Sequence, residues 1–125
     1  MVIRASASEI LLSATPAELQ LLAQSLAEIR AEAVLRVAAD TTAEPTPYDR
    51  LLAAFEATPS DGPVRVSVVG DALKVTGSQA FLRKQFASFF RFPVNAVRGA
   101  HHHHEWWCGN EYVAADSLPL IITIN

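Results

Sequence analysis

The side chains with the greatest chemical capacity lie in one short stretch near the end of the 125-residue sequence. This stretch contains all four histidines, both tryptophans and the only cysteine. Read as a strand over residues 100–107, it places His101, His103 and Glu105 on the same face, because alternate side chains of a strand point the same way. Imidazole and carboxylate are good zinc ligands, and histidine near Cys108 is one requirement of a cysteine nucleophile.

The same residues also fit simpler interpretations. Alternate side chains on one strand lie about 6.5–7 Å apart at their bases, so two histidines could share an ion, but no second cluster supplies the remaining ligands. We therefore predict a polar, half-exposed strand face without a structural metal, and we predict that Cys108 is a turn residue. Because the sequence contains no phosphate loop, dinucleotide fingerprint or zinc-protease helix, we also predict that it is not an enzyme and uses no cofactor. The alternative is a small metal-binding or hydrolytic protein that uses the cluster His101–His104.

Length, composition and charge exclude several classes of protein. Half of the residues are apolar and 18% are charged, as in one globular domain. The net charge of −3 offers nucleic acid no general attraction. One cysteine, no pattern of a signal peptide and no apolar run of the ~20 residues that span a membrane predict a cytoplasmic protein without a membrane partner.

The sequence predicts a single domain, 1–125, with an internal near-repeat, 3–57 and 64–124, at an offset of 63 residues. In each repeat, two strands precede a helix, and the helix cap is Thr15 in the first repeat and Ser78 in the second. A proline at the first helical position and a glutamate three residues after Thr15 complete a capping box. The predicted fold class is therefore α+β: an antiparallel sheet of six to eight strands with two helices on one face and a C-terminal hairpin.

Other segments follow from their periodicity. Residues 33–39 favour a strand, although they could also prolong the first helix, and 48–57 fit either a helix or a strand. The closing strand, 118–124, is expected to turn its alternate apolar residues towards the core and to leave the histidine face in solvent. On the second helix, a phenylalanine stripe opposes a basic face, for which an ordinary solvated surface is the favoured interpretation over an acidic partner. The basic face consists of Arg83, Lys84 and Arg91.

The residues from the histidine strand onwards follow an order that extends to the closing strand. They read His101-x-His103-x-Glu105-Trp106-x-x-Gly109-x-x-Tyr112, and then Asp116-Ser117-Leu118-Pro119-Leu120-Ile121-Ile122. This order resembles that of small bacterial proteins grouped as predicted immunity proteins of polymorphic toxin systems, which bind and neutralise a toxin domain made by the same cell. The resemblance covers about residues 64–124. The sequence departs from the family at His102 and His104, where apolar residues are frequent, and at Cys108, where proline is usual.

The resemblance implies a non-enzymatic protein that binds a cognate toxin, with no catalytic residue, metal ligand or cofactor. The contact region is expected on the exposed sheet face and the aromatic turn that follows it. Aromatic anchors beside charged residues are typical of interface hot spots. A homodimer formed through sheet edges or through the aromatic turn is a further structural alternative. The predicted partner-binding residues are His101, His103, Glu105, Trp107, Asn110, Glu111 and Tyr112.

Overall fold

The structure is a computed structural model that describes all residues from 1 to 125. It contains nine strands and two helices. The first helix, α1, spans Pro16–Ala27, and the second, α2, consists of an α-helical turn at Gln79–Phe81 that continues as a π-helical segment at Leu82–Phe86. The strands are β1 (Val2–Ala5), β2 (Ile10–Ala14), β3 (Leu35–Ala38), β4 (Arg50–Leu52), β5 (Ala54–Pro59), β6 (Arg65–Val69), β7 (Ala72–Gly77), β8 (His101–His104) and β9 (Leu120–Ile124).

The predicted capping box begins α1. The Thr15 hydroxyl accepts the Glu18 amide at 3.2 Å, and the Glu18 carboxylate accepts the Thr15 amide at 3.1 Å. The chain's amino terminus donates a hydrogen bond to the same carboxylate at 2.6 Å, and these bonds hold the pKa of Glu18 below its usual value. Leu19, Leu22 and Leu26 form the buried stripe of the helix, as their spacing predicts.

The second helix begins at the predicted cap but is not a regular α-helix. The Ser78 hydroxyl accepts the Phe81 amide at 3.1 Å, whereas further along the Ala87 amide donates to the carbonyl five residues back, which widens the helix into a π-turn. Its basic face is also only partly free in solvent. The side chains of Gln79 and Arg83 donate to the Ile29 carbonyl at 3.0 and 2.9 Å, so they tie α2 to the end of α1.

The α+β class is confirmed, but the strands form two sheets rather than one antiparallel sheet. The first sheet has the order β4-β1-β2-β9-β8 and the second the order β3-β5-β7-β6. Two pairs are parallel, β2 with β9 and β5 with β7. The prediction failed because each of β5 and β9 pairs in parallel with the hairpin of the other repeat, and no strand pairs across the two groups. Local sequence does not encode these choices of partner.

The two hairpins pair in the same register after a shift of 63 residues. In the first hairpin Ile3 lies opposite Leu12, and in the second Val66 lies opposite Val75. The strands that join them come from the opposite half of the chain, with β9 beside β2 and β5 beside β7. Both sheets are consequently built from both halves of the sequence.

The core includes apolar residues of both sheets and both helices. In β9, Leu120, Ile122 and Ile124 are buried, as their alternation predicts, and Leu118 before the strand is half-buried. Residues 48–57, for which helix and strand were both open, form β4 and most of β5. Neither helix has the length and apolar character that crossing a membrane requires.

Candidate functional site

The histidine strand β8 lies at one edge of the five-stranded sheet. Its pairing partner is β9, with His104 opposite Leu120, and backbone hydrogen bonds outside the regular elements involve none of residues 101–105. The strand ends at His104 rather than continuing to residue 107 as predicted. Beyond it the chain leaves the sheet and forms a turn, so the following side chains no longer alternate between the two sheet faces.

One face of β8 is exposed, as the sequence predicts. His101 and His103 both lie in solvent, and their rings are 5.1 Å apart. The Nδ1 atom of His101 bonds to the Gly99 carbonyl at 3.1 Å, which orients the ring. We refer to His101 and His103 as the histidine face.

The other face of β8 packs against the chain that leaves α2. The ring of His102 stacks on Phe92 at 4.1 Å between centroids, and its Nδ1–H donates to the Phe89 carbonyl at 2.8 Å. His104 is only 1% exposed and makes edge contacts with the rings of Phe86 and Phe89, each 4.9 Å away. The alternation of the strand thus gives the four consecutive histidines two different environments.

His104 is held in its neutral form by its surroundings. Burial lowers the pKa of its imidazole to about 4, and an interaction with its own backbone, the smaller of the two effects, acts in the opposite direction. Neither ring nitrogen forms a hydrogen bond with another residue, and Nδ1 is completely buried. It is the single buried side-chain nitrogen or oxygen in the protein without a hydrogen-bond partner.

The turn after β8 is fixed by hydrogen bonds although its side chains are exposed. The Asn110 amide donates to the Trp107 carbonyl at 3.0 Å, and the Tyr112 amide donates to the Asn110 side chain at 2.9 Å. The Tyr112 carbonyl accepts the Val64 amide at 2.8 Å, and its ring meets Phe81 edge-on at 5.1 Å. Cys108 is exposed in the turn, as predicted.

A pocket of about 150 Å³ lies between α2 and this turn. Three of the predicted partner-binding residues, Trp107, Asn110 and Tyr112, line it. The residues that sequence reasoning missed are His104 and the helix residues beside it. The complete lining of the pocket is Val64, Gln85, Phe86, Ser88, Phe89, His104, Trp107, Asn110, Tyr112 and Val113.

The seven predicted residues therefore divide into separate groups. Trp107, Asn110 and Tyr112 surround the pocket, whereas the histidine face belongs to the opposite side of β8 from His104. Glu105 and Glu111 are exposed and take part in none of the three ion pairs of the protein. The burial of His104 follows from its position opposite the core residue Leu120 of β9. The sequence could have predicted this burial only if the register of the two strands were known.

Two further features define what this region can do. No group of three or more histidine, cysteine, aspartate or glutamate side chains comes together in a way that could hold a metal ion. A larger groove, of about 420 Å³, lies between α1 and residues 90–97, but none of the predicted site residues lines it and it contains no unpartnered buried polar atom. The pocket beside His104 is therefore the better candidate for specific recognition.

Comparison with protein-family models, with curated proteins and with solved structures finds no match for this chain. The resemblance to immunity proteins stays a prediction that rests on the residue order of the second half.

Proposed function

We propose that this protein binds another protein through the surface around the pocket, and that it neutralises a toxin domain by covering it. The observation that carries this proposal is a pair of exposed aromatic side chains on a fixed turn: Trp107 is 60% exposed and Tyr112 is 37% exposed. Tryptophan and tyrosine are enriched among the few residues that supply most of the binding free energy at interfaces. Hydrogen bonds already order their backbone, so binding sacrifices little conformational entropy there.

The toxin as partner is supported by the order of residues that resembles predicted immunity proteins. A protein that blocks a toxin by contact needs a complementary surface but no catalytic group, so the proposed role is non-enzymatic. We place this role in the bacterial cytoplasm, where an exposed thiol such as that of Cys108 stays reduced.

The test uses the product of the neighbouring gene as the candidate toxin. Cells that produce this protein together with the toxin domain should grow, and the two proteins should co-purify. The double variant Trp107→Ala with Tyr112→Ala should lose both properties while keeping its unfolding midpoint. The matched control is Leu21→Ala with Val34→Ala, which removes apolar side chains that are 64% and 61% exposed elsewhere on the surface and should leave protection intact.

A second variant pair separates the two sides of β8. If His101→Ala with His103→Ala abolishes protection while the aromatic double variant protects fully, the contact lies on the histidine face and the proposed surface is wrong. Full protection by a stable aromatic double variant is enough by itself to reject that surface.

A further inference from the structure

One wall of the pocket contains a hydrogen-bonding side chain that has no partner in the protein. His104 is almost completely buried, and neither of its ring nitrogens bonds to another residue. Most buried polar side-chain atoms in proteins do have partners, so an exception on a pocket wall calls for an explanation. Nδ1 is completely buried, so Nε2, the unbonded ring nitrogen that is not completely buried, is the one that we expect a ligand in the pocket to contact.

The shape and lining of the pocket restrict what can enter. A cavity of about 150 Å³ is large enough for one benzene-sized ring. Phe86, Phe89, Trp107 and Tyr112 supply aromatic surface, and the lining contains no acidic residue, lysine or arginine. A charged group would lose its hydration there without gaining an opposite charge, so a neutral ligand is favoured.

The chemistry of a neutral imidazole adds one more requirement. One of its nitrogens donates a hydrogen bond and the other accepts one, and which nitrogen does which depends on the tautomer. A hydroxyl group can bond Nε2 in either tautomer because it both donates and accepts. An aromatic ring that carries a hydroxyl therefore suits both the aromatic lining and the Nε2 atom of His104.

We infer that the pocket receives a tyrosine side chain of the partner protein, with its ring against the aromatic lining and its phenolic hydroxyl bonded to His104. This inference rests on the proposed function, because the pocket opens on the same turn whose Trp107 and Tyr112 are the proposed contacts. It names the anchor residue that the partner must present.

The first experiment uses phenol as the probe and toluene, which has a methyl group in place of the hydroxyl, as its control. Each is titrated into the whole protein while the indole N–H signal of Trp107 is followed by NMR. Phenol should bind saturably and about fivefold more tightly than toluene, the effect expected of one neutral hydrogen bond. In His104→Phe this preference should fall to about one, whereas in His101→Phe, on the opposite face of β8, it should persist.

Several results would overturn the inference. Equal binding of phenol and toluene would show that the hydroxyl is not recognised, and the absence of saturable shifts with either probe would show that no ring enters. A phenol preference that survives in His104→Phe would assign the hydrogen bond elsewhere. If His104→Phe does not fold, His104→Leu provides the same comparison, since leucine has no hydrogen-bonding group and the indole signal of Trp107 is kept.

The second experiment separates this inference from the proposed function. Each tyrosine of the partner's contact region is changed to phenylalanine and to alanine, and binding is measured. One tyrosine should lose about fivefold in affinity as phenylalanine, the same single hydrogen bond, and considerably more as alanine. If the partner requires Trp107 and Tyr112 but no tyrosine of its own, the function stands and the tyrosine anchor is wrong. If phenol binds but partner capture ignores Trp107 and Tyr112, both the tyrosine anchor and the proposed contact surface are wrong.

Discussion

The burial of His104 should make the protein lose stability as the pH falls from 7 to 4. In the unfolded chain its imidazole takes up a proton near the ordinary pKa of 6.5, whereas in the folded protein burial lowers the pKa to about 4. Between these two values the unfolded state binds the proton and the folded state does not. Stability therefore rises with pH in this window and is lost as the pH falls through it.

The size of the effect follows from the difference between the two pKa values. At about 1.4 kcal/mol for each pKa unit, His104 alone should remove about 2 kcal/mol between pH 7 and pH 5, and about 3 kcal/mol by pH 4. This conversion is appropriate because the ring is 1% exposed, so solvent screens it little. The lining of the pocket also supplies no charged group that would stabilise the imidazolium.

The assay compares urea unfolding of the natural protein and of His104→Phe at pH 7, 6, 5 and 4. Carboxyl groups and the other histidines are present in both proteins, so their contributions largely cancel in the difference between the two curves. The free energy of unfolding of the natural protein minus that of the variant should fall by about 3 kcal/mol from pH 7 to pH 4. Parallel curves, or an imidazole that titrates near 6.5 by NMR in the folded protein, would refute the reasoning.

Four further substitutions test the packing by chemical unfolding. Leu120→Ala should cost about 2–5 kcal/mol because it leaves a cavity, whereas the exposed His103→Ala should cost under ~0.5 kcal/mol; similar costs would mean that the faces of the hairpin are misplaced. Ser117→Ala should cost about 1–3 kcal/mol, because its buried hydroxyl accepts a β6 backbone amide at 2.8 Å, and a neutral result would mean that water replaces it. Gly77→Ala should cost about 1–3 kcal/mol, because its Cβ would lie 2.9 Å from Val64 Cα; unchanged stability would show that the backbone at Val64 can move away from β7.

Local features of the fold were predictable from the sequence. The cap at Thr15, the cap at Ser78 and the apolar alternation of β9 depend on neighbouring residues, and the structure contains each of them. The assignment of strands to two sheets was not predictable in the same way. Every apolar strand can pair with several others, and the choice between them depends on contacts between distant parts of the chain.

The candidate site was predictable only where alternation along a strand decides exposure. His101 and His103 lie in solvent as expected. Trp107, however, lies outside the strand, because β8 ends at His104, and it lines the pocket. The π-turn in α2, which contains the pocket residue Phe86, has no recognisable signal in the sequence. The pocket arises where α2 meets the turn after β8, and neither segment encodes it alone.

The exchange of strands between the two halves has a consequence for how the chain folds. The parallel partner of β2 is β9, so Ile10 finds Leu120 only after almost the whole sequence is available. Closing so long a loop is entropically costly, and proteins dominated by such pairings fold slowly. During synthesis one backbone edge of β2 stays unpaired, and its apolar side chains stay incompletely covered, until β9 leaves the ribosome. The unfinished chain is therefore a target for aggregation and for chaperones.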